Sequence, residues 1–181
     1  MKYRLNTQVS AILDTAREEA REMGNNYVGS EHLLLAILKD TATPLSRLLC
    51  AQGVYYFQLK EDLMVLFGLK DQDVEELQIT QVVDDILERG MSLSSRKQNT
   101  MMDVDSLTLA LLQTNSCVAT EILHRYDVDE EVLLLQMEHG SMSELDKISE
   151  LRNLNMCGAN QDIVGRDAEL NFMISVLSRK D

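Results

Sequence analysis

Cysteine, proline and aromatic residues are all scarce in this chain of 181 residues: three cysteines, one proline, and no tryptophan among an aromatic content of 4%. Cys50, Cys117 and Cys157 are odd in number, widely spaced and form no C-x-x-C pair, which excludes a disulfide scaffold and a zinc knuckle. Basic residues are outnumbered, 17 against 30 acidic, giving a formal charge of −13. No lysine or arginine cluster is present to neutralise phosphates, so a nucleic-acid partner is not expected, nor docking on an anionic membrane. No apolar run approaches the ~20 residues that span a bilayer. The start, Met1-Lys2-Tyr3-Arg4-Leu5-Asn6, lacks the apolar core of a signal peptide. Segments alternating with period two between hairpin turns are missing too, so no sheet of consequence is expected. What remains is consistent with a reduced, cytoplasmic, all-α protein.

The apolar fraction is 45%, too high for disorder of the bulk. A chain of this size buries roughly two thirds of its unfolded surface, so its core needs neither disulfide nor metal. Val9, Ile12, Leu13, Ala16, Ala20 and Met23 recur at spacings of three and four, opposite Asp14, Arg17, Glu18, Arg21 and Glu22. That stripe predicts a helix, capped at Asn6 or Thr7 and stopped by a left-handed Gly24. A second helix is expected from Glu31 to about Lys39, entered through Gly29-Ser30. Its core, Leu33 to Leu38, is apolar on every side and belongs inside a bundle. A third runs from about Thr43 to Gln52, with Pro44 in the first turn and Gly53 ending it. A fourth occupies Tyr56 to Phe67, closed by Gly68.

The chain then repeats itself. An ungapped offset of 74 lays 5–59 on 79–133 and makes eleven pairs identical. They are Val9/Val83, Ile12/Ile86, Leu13/Leu87, Asn25/Asn99, Leu33/Leu107, Leu35/Leu109, Ala36/Ala110, Leu38/Leu112, Leu49/Leu123, Val54/Val128 and Leu59/Leu133. Leu5/Ile79, Asn6/Thr80, Glu31/Asp105, Ile37/Leu111 and Leu48/Ile122 are conservative matches. Leucine-rich helices match one another by composition, but composition does not supply one offset across four helices and their turns. Two pseudo-repeats of four helices, about 5–68 and 79–138, are expected to pack as one bundle within 1–140. Residues 141–160 read as a linker carrying a short, weak helix at Leu145 to Leu154. From 161 to 181 a charged amphipathic helix, Asp167 to Lys180, has nothing left to pack against, as at the incomplete start of a further module.

Tyr27-Val28-Gly29-Ser30-Glu31-His32-Leu33-Leu34-Leu35-Ala36-Ile37-Leu38 resembles the signature of the Clp N-terminal repeat, Tyr-Ile-Gly-Thr-Glu-His-Leu-Leu-Leu-Ala-Leu-Leu. That domain is itself built from two four-helix repeats. Asp162-Ile163-Val164-Gly165-Arg166-Asp167-Ala168-Glu169-Leu170 is similar to the segment opening the first AAA+ module of the same unfoldases. Together the two cover nearly the whole chain. The resemblance implies the amino-terminal part of a ClpC- or ClpA-type subunit of a Clp protease. It departs at Met101-Met102-Asp103-Val104-Asp105-Ser106, where the second repeat loses the signature and Ser106 replaces the histidine, and at Ile163, where proline is usual.

Chemistry of its own is not expected. None of the eight glycines precedes a lysine, so G-x-x-x-x-G-K-[ST] is absent; ATP would be a cofactor of the full-length subunit and this stretch no enzyme. His32, His124 and His139 allow a Cys–His pair arithmetically, yet His124 and Cys50 occupy equivalent helix positions that read as packing or partly exposed. The acidic residues Asp71, Asp73, Glu75 and Glu76 read as a solvated loop. Gly29-Ser30-Glu31-His32 has two readings. In one, Ser30 caps a helix, Glu31 complements its dipole and His32 bonds locally. In the other, helix-start amides hold an anion while Glu31 grips a guanidinium. The second matches what the resemblance implies for ClpC-type domains, reading of phosphoarginine. The implied receptors are Glu31 with Asn6 and Val28, and Asp105 with Thr80. The implied partners are protein substrates, MecA-like or ClpS-like adaptors, and the Clp peptidase through the AAA+ part. The alternative is the N-terminal domain of a ClpB-type disaggregase that touches exposed hydrophobic segments, for which the ten methionines would offer a pliable surface.

Overall fold

Asn6, in extended conformation, turns its side-chain oxygen onto the Val9 N–H at 2.7 Å and so starts α1 (Thr7–Glu22). The computed structural model describes residues 3–67, 77–114 and 117–138. Gly68, the acidic loop at 71–76, His139, the 141–160 linker and the 161–181 segment lie outside them. The stripe Val9, Ile12, Leu13, Ala16 and Ala20 is buried. Tyr27–Val28 form β1, and α2 (Ser30–Lys39) follows, buried from Ser30 through Leu38 as its all-round apolar sequence requires. Thr43 caps α3 (Pro44–Ala51) by accepting from the Ser46 N–H at 3.2 Å; α4 is Tyr56–Phe67. After β2 (Gln78–Ile79) come α5 (Gln81–Arg96), α6 (Val104–Leu112), α7 (Val118–Arg125) and α8 (Glu130–Glu138).

The packing repeats with the sequence. α1 and α4 lie on α2, as α5 and α8 lie on α6. Across the halves α2 meets α5 and α7, α1 meets α6, and α3 meets α8. Of the eleven identical pairs, all but Asn25/Asn99 and Leu35/Leu109 are buried at both members. The left-handed stops recur too. Gly24 (φ 67°) corresponds to Gln98 (φ 63°), and Gly53 (φ 88°) to Asp127 (φ 55°).

The seam between halves is made of backbone, which period-two patterning could not show. β1 pairs parallel with β2, Tyr27 opposite Gln78 and Val28 opposite Ile79. Leu5 bridges Met102, also parallel. These are one contact made twice: shifting Leu5 and Val28 by 74 gives Ile79 and Met102. The Asn6 N–H donates to the Met102 carbonyl at 3.1 Å, and the Thr80 N–H to the Val28 carbonyl at 3.0 Å.

The first repeat carries a buried ionic network that the second lacks. Glu19, fully buried, accepts from Lys39 Nζ and the Tyr56 hydroxyl, each at 2.7 Å, and lies 2.7 Å from Lys60 Nζ. Lys60 also pairs with Glu22. Burial pushes the Glu19 carboxyl up, but the two ammonium groups and the hydroxyl outweigh it and hold it below the ordinary 4.5. At the positions of Glu19 and Lys60 the second repeat has Leu93 and Leu134, both packed on the core.

Two outcomes are expected. Gln98 spends a non-glycine residue on a left-handed stop, so Gln98→Gly should raise stability by about 0.5–1 kcal/mol in urea unfolding. Glu19→Leu removes the main partner of the partly buried Lys60 and should destabilise by about 1–3 kcal/mol, while Glu19→Leu with Lys60→Leu, copying the second repeat, should recover most of that. Because the folded-state carboxyl titrates low, the Glu19 contribution is complete above about pH 4.5 and is lost as pH falls through the folded value.

Candidate functional site

The turn into α2 begins at Gly29, which has extended backbone (φ −99°, ψ 177°) and no side chain with which to cap. His32, three residues on, serves instead: the Gly29 N–H donates to its Nδ1 at 3.0 Å, and the Asn25 amide lies 2.9 Å from Nε2. The ring is fully buried, and burial pushes its pKa down to about 4, so it is neutral at pH 7. Tyr27 meets it edge-on, centroids 5.9 Å apart. Ser30 does not cap α2. Its hydroxyl accepts from the Ala119 N–H at 3.2 Å and ties α2 to the start of α7.

Glu31 folds back over Gly29 and is only 5% exposed. Burial pushes its carboxyl above the usual range, while its own N–H draws it part of the way back. Oε1 is 3.3 Å from His32 Nδ1, but a neutral ring that already accepts a hydrogen bond there supplies no counter-charge. Among the described residues no lysine or arginine pairs with Glu31. Two buried glutamates in one repeat are thus treated oppositely: Glu19 is clamped by cations, and Glu31 is left without one.

The second repeat replaces this chemistry. Asp103, at the position of Gly29, caps α6 by accepting from the Ser106 N–H at 2.7 Å, and Asn99 donates to its other oxygen at 2.7 Å. Burial raises the Asp103 carboxyl, yet Ser106, Lys97 and Asn99 together hold it below the usual range. Asp105, the counterpart of Glu31, is exposed.

The implied receptor residues are joined in a crossed arrangement. Val28 meets Thr80 through the seam hydrogen bond, whereas Asn6 meets Met102, three residues before Asp105. Both Asn6 and Thr80 use their side chains as helix caps, Thr80 accepting from the Val83 N–H at 3.4 Å. The pairing of Asn6 with Val28, and of Thr80 with Asp105, is therefore not the one the backbone makes.

Next to the seam lies a cleft of about 330 Å³, lined by Tyr3, Leu5, Ser10, Leu13, Arg17, Val28, Ile79, Asp84 and Leu87. Six of these are offset partners: Leu5/Ile79, Ser10/Asp84 and Leu13/Leu87. The cleft sits where α1 and α5 face each other across the internal symmetry. Its walls are mainly apolar, with Arg17 and Asp84 as charged members; the Tyr3 hydroxyl donates to Asp84 Oδ1 at 2.7 Å. Leu13/Leu87 and Leu5/Ile79 stood among the matched pairs, so the signal was present, but only folding shows that these pairs line a void.

The other candidates stay apart. His124 is largely exposed and sits 2.6 Å from Glu130; Cys50 and Cys117 are buried. Among the described residues no three His, Cys, Asp or Glu side chains gather to hold a metal, and no helix is long and apolar enough to cross a membrane.

Known proteins with this arrangement point one way. The chain is 22% identical over 200 residues to the chaperone protein ClpB of Oceanobacillus iheyensis, and 23% over 195 residues to the ATP-dependent Clp protease ATP-binding subunit ClpC of Staphylococcus epidermidis. Each alignment takes in 98% of this chain and 24% of the relative, so the chain spans about a quarter of their length. Among solved structures, the N-terminal domain of ClpD from Arabidopsis thaliana superposes with a TM-score of 0.63 at 15% identity, covering 75% of this chain and 96% of that one. The Hsp104 N-terminal domain from Candida albicans gives 0.61 at 16%, covering 74% and 89%. A ClpV N-domain in complex with a VipB peptide gives 0.57 at 18%, covering 79% and 88%. The family model described as the Clp repeat (R) N-terminal domain matches residues 4–126, and the chain belongs to that family.

Proposed function

We propose that this chain is the substrate- and adaptor-recognition module of an ATP-dependent Clp unfoldase subunit of ClpC or ClpA type, working in cytoplasmic protein quality control. The observation that carries the reading is the open apolar cleft beside the seam, whose wall residue Val28 lies three residues before the buried Glu31, which has no cationic partner among the described residues. An extended or helical peptide places apolar side chains in such a cleft, while a guanidinium or phosphoarginine group is held at the helix start by Glu31 and the adjoining amides. The ClpV N-domain, of the same fold, is found in a complex with a VipB peptide, which supports peptide capture here. The formal charge of −13 favours basic peptides and basic adaptor faces, with encounter rates that fall as salt rises. MecA-like or ClpS-like adaptors are the partners proposed, with ATP hydrolysis and contact with the Clp peptidase assigned to the rest of the subunit.

A second reading is favoured by α4, which exposes Phe57, Val65, Leu66 and Phe67. Val65 and Leu66 line a second cleft, of about 470 Å³, between α4 and α7, and an apolar surface of this kind suits the hydrophobic segments handled by a ClpB-type disaggregase.

Titration with an arginine-phosphorylated peptide separates the two. Ile79 is 38% exposed, so Ile79→Asp should fold while charging the first cleft. It should weaken binding about tenfold or more, and Glu31→Ala should weaken it similarly. Absence of any binding by the parent chain overturns the first reading. Binding of a permanently unfolded apolar polypeptide that is lost in Phe57→Ser/Val65→Ser but kept in Ile79→Asp establishes the second.

A further inference from the structure

Gly29 has a bare Cα for a reason its backbone angles do not give. At φ −99° and ψ 177° any residue fits, so no conformational demand selects glycine. What selects it is the Glu31 side chain. A Cβ on Gly29 would lie 2.3 and 2.4 Å from the two carboxylate oxygens and 2.6 Å from the carboxyl carbon, well inside contact distance. The Glu31 head group rests in the space that the missing side chain leaves.

We infer that Gly29 and Glu31 form a latch, in which the carboxylate is stowed against the glycine in the empty protein and swings outward to meet a cationic group of the captured peptide. The identity of that ligand rests on the recognition reading above; the latch itself rests on geometry. The internal repeat is a control that the chain carries within itself. Where the equivalent position bears a side chain, Asp103, the following acid Asp105 stands exposed; where it is Gly29, the acid is buried. The stowed carboxylate has no ammonium or guanidinium partner among the described residues, unlike Glu19, so nothing ionic opposes its departure. The turn does not depend on it either, because the Gly29 N–H is held by His32 and the His32 ring by Asn25. Only side-chain torsions of Glu31 need change, and the helix start stays in place.

The test is Gly29→Ala in the whole chain, reading the Glu31 carboxyl carbon by NMR as pH is varied. His32, 3.3 Å away, and Tyr27 are the titratable groups facing Glu31, and their ring signals are followed in parallel. In the parent, Glu31 should titrate above the usual carboxylate range; in Gly29→Ala it should fall back into that range. With the carboxylate already outward, the variant should bind an arginine-phosphorylated peptide about three- to tenfold more tightly, a gain that vanishes in Gly29→Ala/Glu31→Gln. An unchanged Glu31 midpoint overturns the latch, as does a parent that binds the peptide and a variant that binds it no better. If the midpoint moves while neither protein binds, the latch stands and the recognition reading falls.

Discussion

Backbone hydrogen bonds across the seam hold the two repeats in register, and two of them are equivalent: Asn6 N–H to the Met102 carbonyl, and Thr80 N–H to the Val28 carbonyl. Each donor residue is also the cap of the long first helix of its repeat, and each acceptor precedes the buried second helix of the other. Moving either strand by one residue would turn the Val28 or Met102 side chain away from the core and displace a cap at the same time. Neither half buries its own apolar face alone, so the seam couples local helix geometry to the closure of the whole core. The cleft follows from the same contact. Where two copies of α1-type helix meet across an approximate dyad, Leu5/Ile79 and Leu13/Leu87 face each other over a gap that neither repeat fills.

Within that frame the repeats have diverged by exchanging whole sets of interacting residues. The first repeat begins its second helix with Gly29, His32 and Asn25; the second uses Asp103, Ser106 and Asn99. In both, the shared asparagine braces the cap, but an imidazole acceptor in one is a carboxylate acceptor in the other. The Glu19–Lys39–Lys60–Tyr56 network has likewise given way to Leu93 and Leu134. A charge set around one buried carboxylate and two leucines packed on the core are alternative solutions of similar stability, since the desolvation of ions offsets most of their attraction. Mixing halves of the two solutions strands a charge, and that explains why they change together.

Much of this was legible in the sequence. The boundaries of α4 at Tyr56 and Phe67, the cap at Asn6 and the stops at Gly24 and Gly53 follow from short-range rules, and the 74-residue offset carried the duplication. What was not legible depends on contacts between distant segments. Nothing in the sequence around Glu19 marks its burial, because its cations arrive from α2 and α4. Ser30 reads as a cap, yet its hydroxyl is taken by Ala119, 89 residues away. Strands of two residues leave no alternation to detect. The backbone bonds of Asn6 to Met102 and of Thr80 to Val28 cross the repeats, a link between segments far apart in the chain.

The crossing bears on what recognition by such a domain can look like. The start of α2 draws its backbone partner from the strand before α5, so a ligand seated there, as proposed, would sit beside a segment of the other repeat. The opposite site, at the start of α6, has the same backbone but an exposed Asp105 and a serine for the histidine. With its acid already in water, it offers a guanidinium only a screened ion pair, worth little. Glu31 differs in that its carboxylate is folded against Gly29 and shielded from water until, in the proposed latch, it swings outward to meet a cation. The same burial makes the empty site unwelcoming to a bare charge, and a glycine against which the carboxylate can fold is the simplest way to accommodate it between ligands.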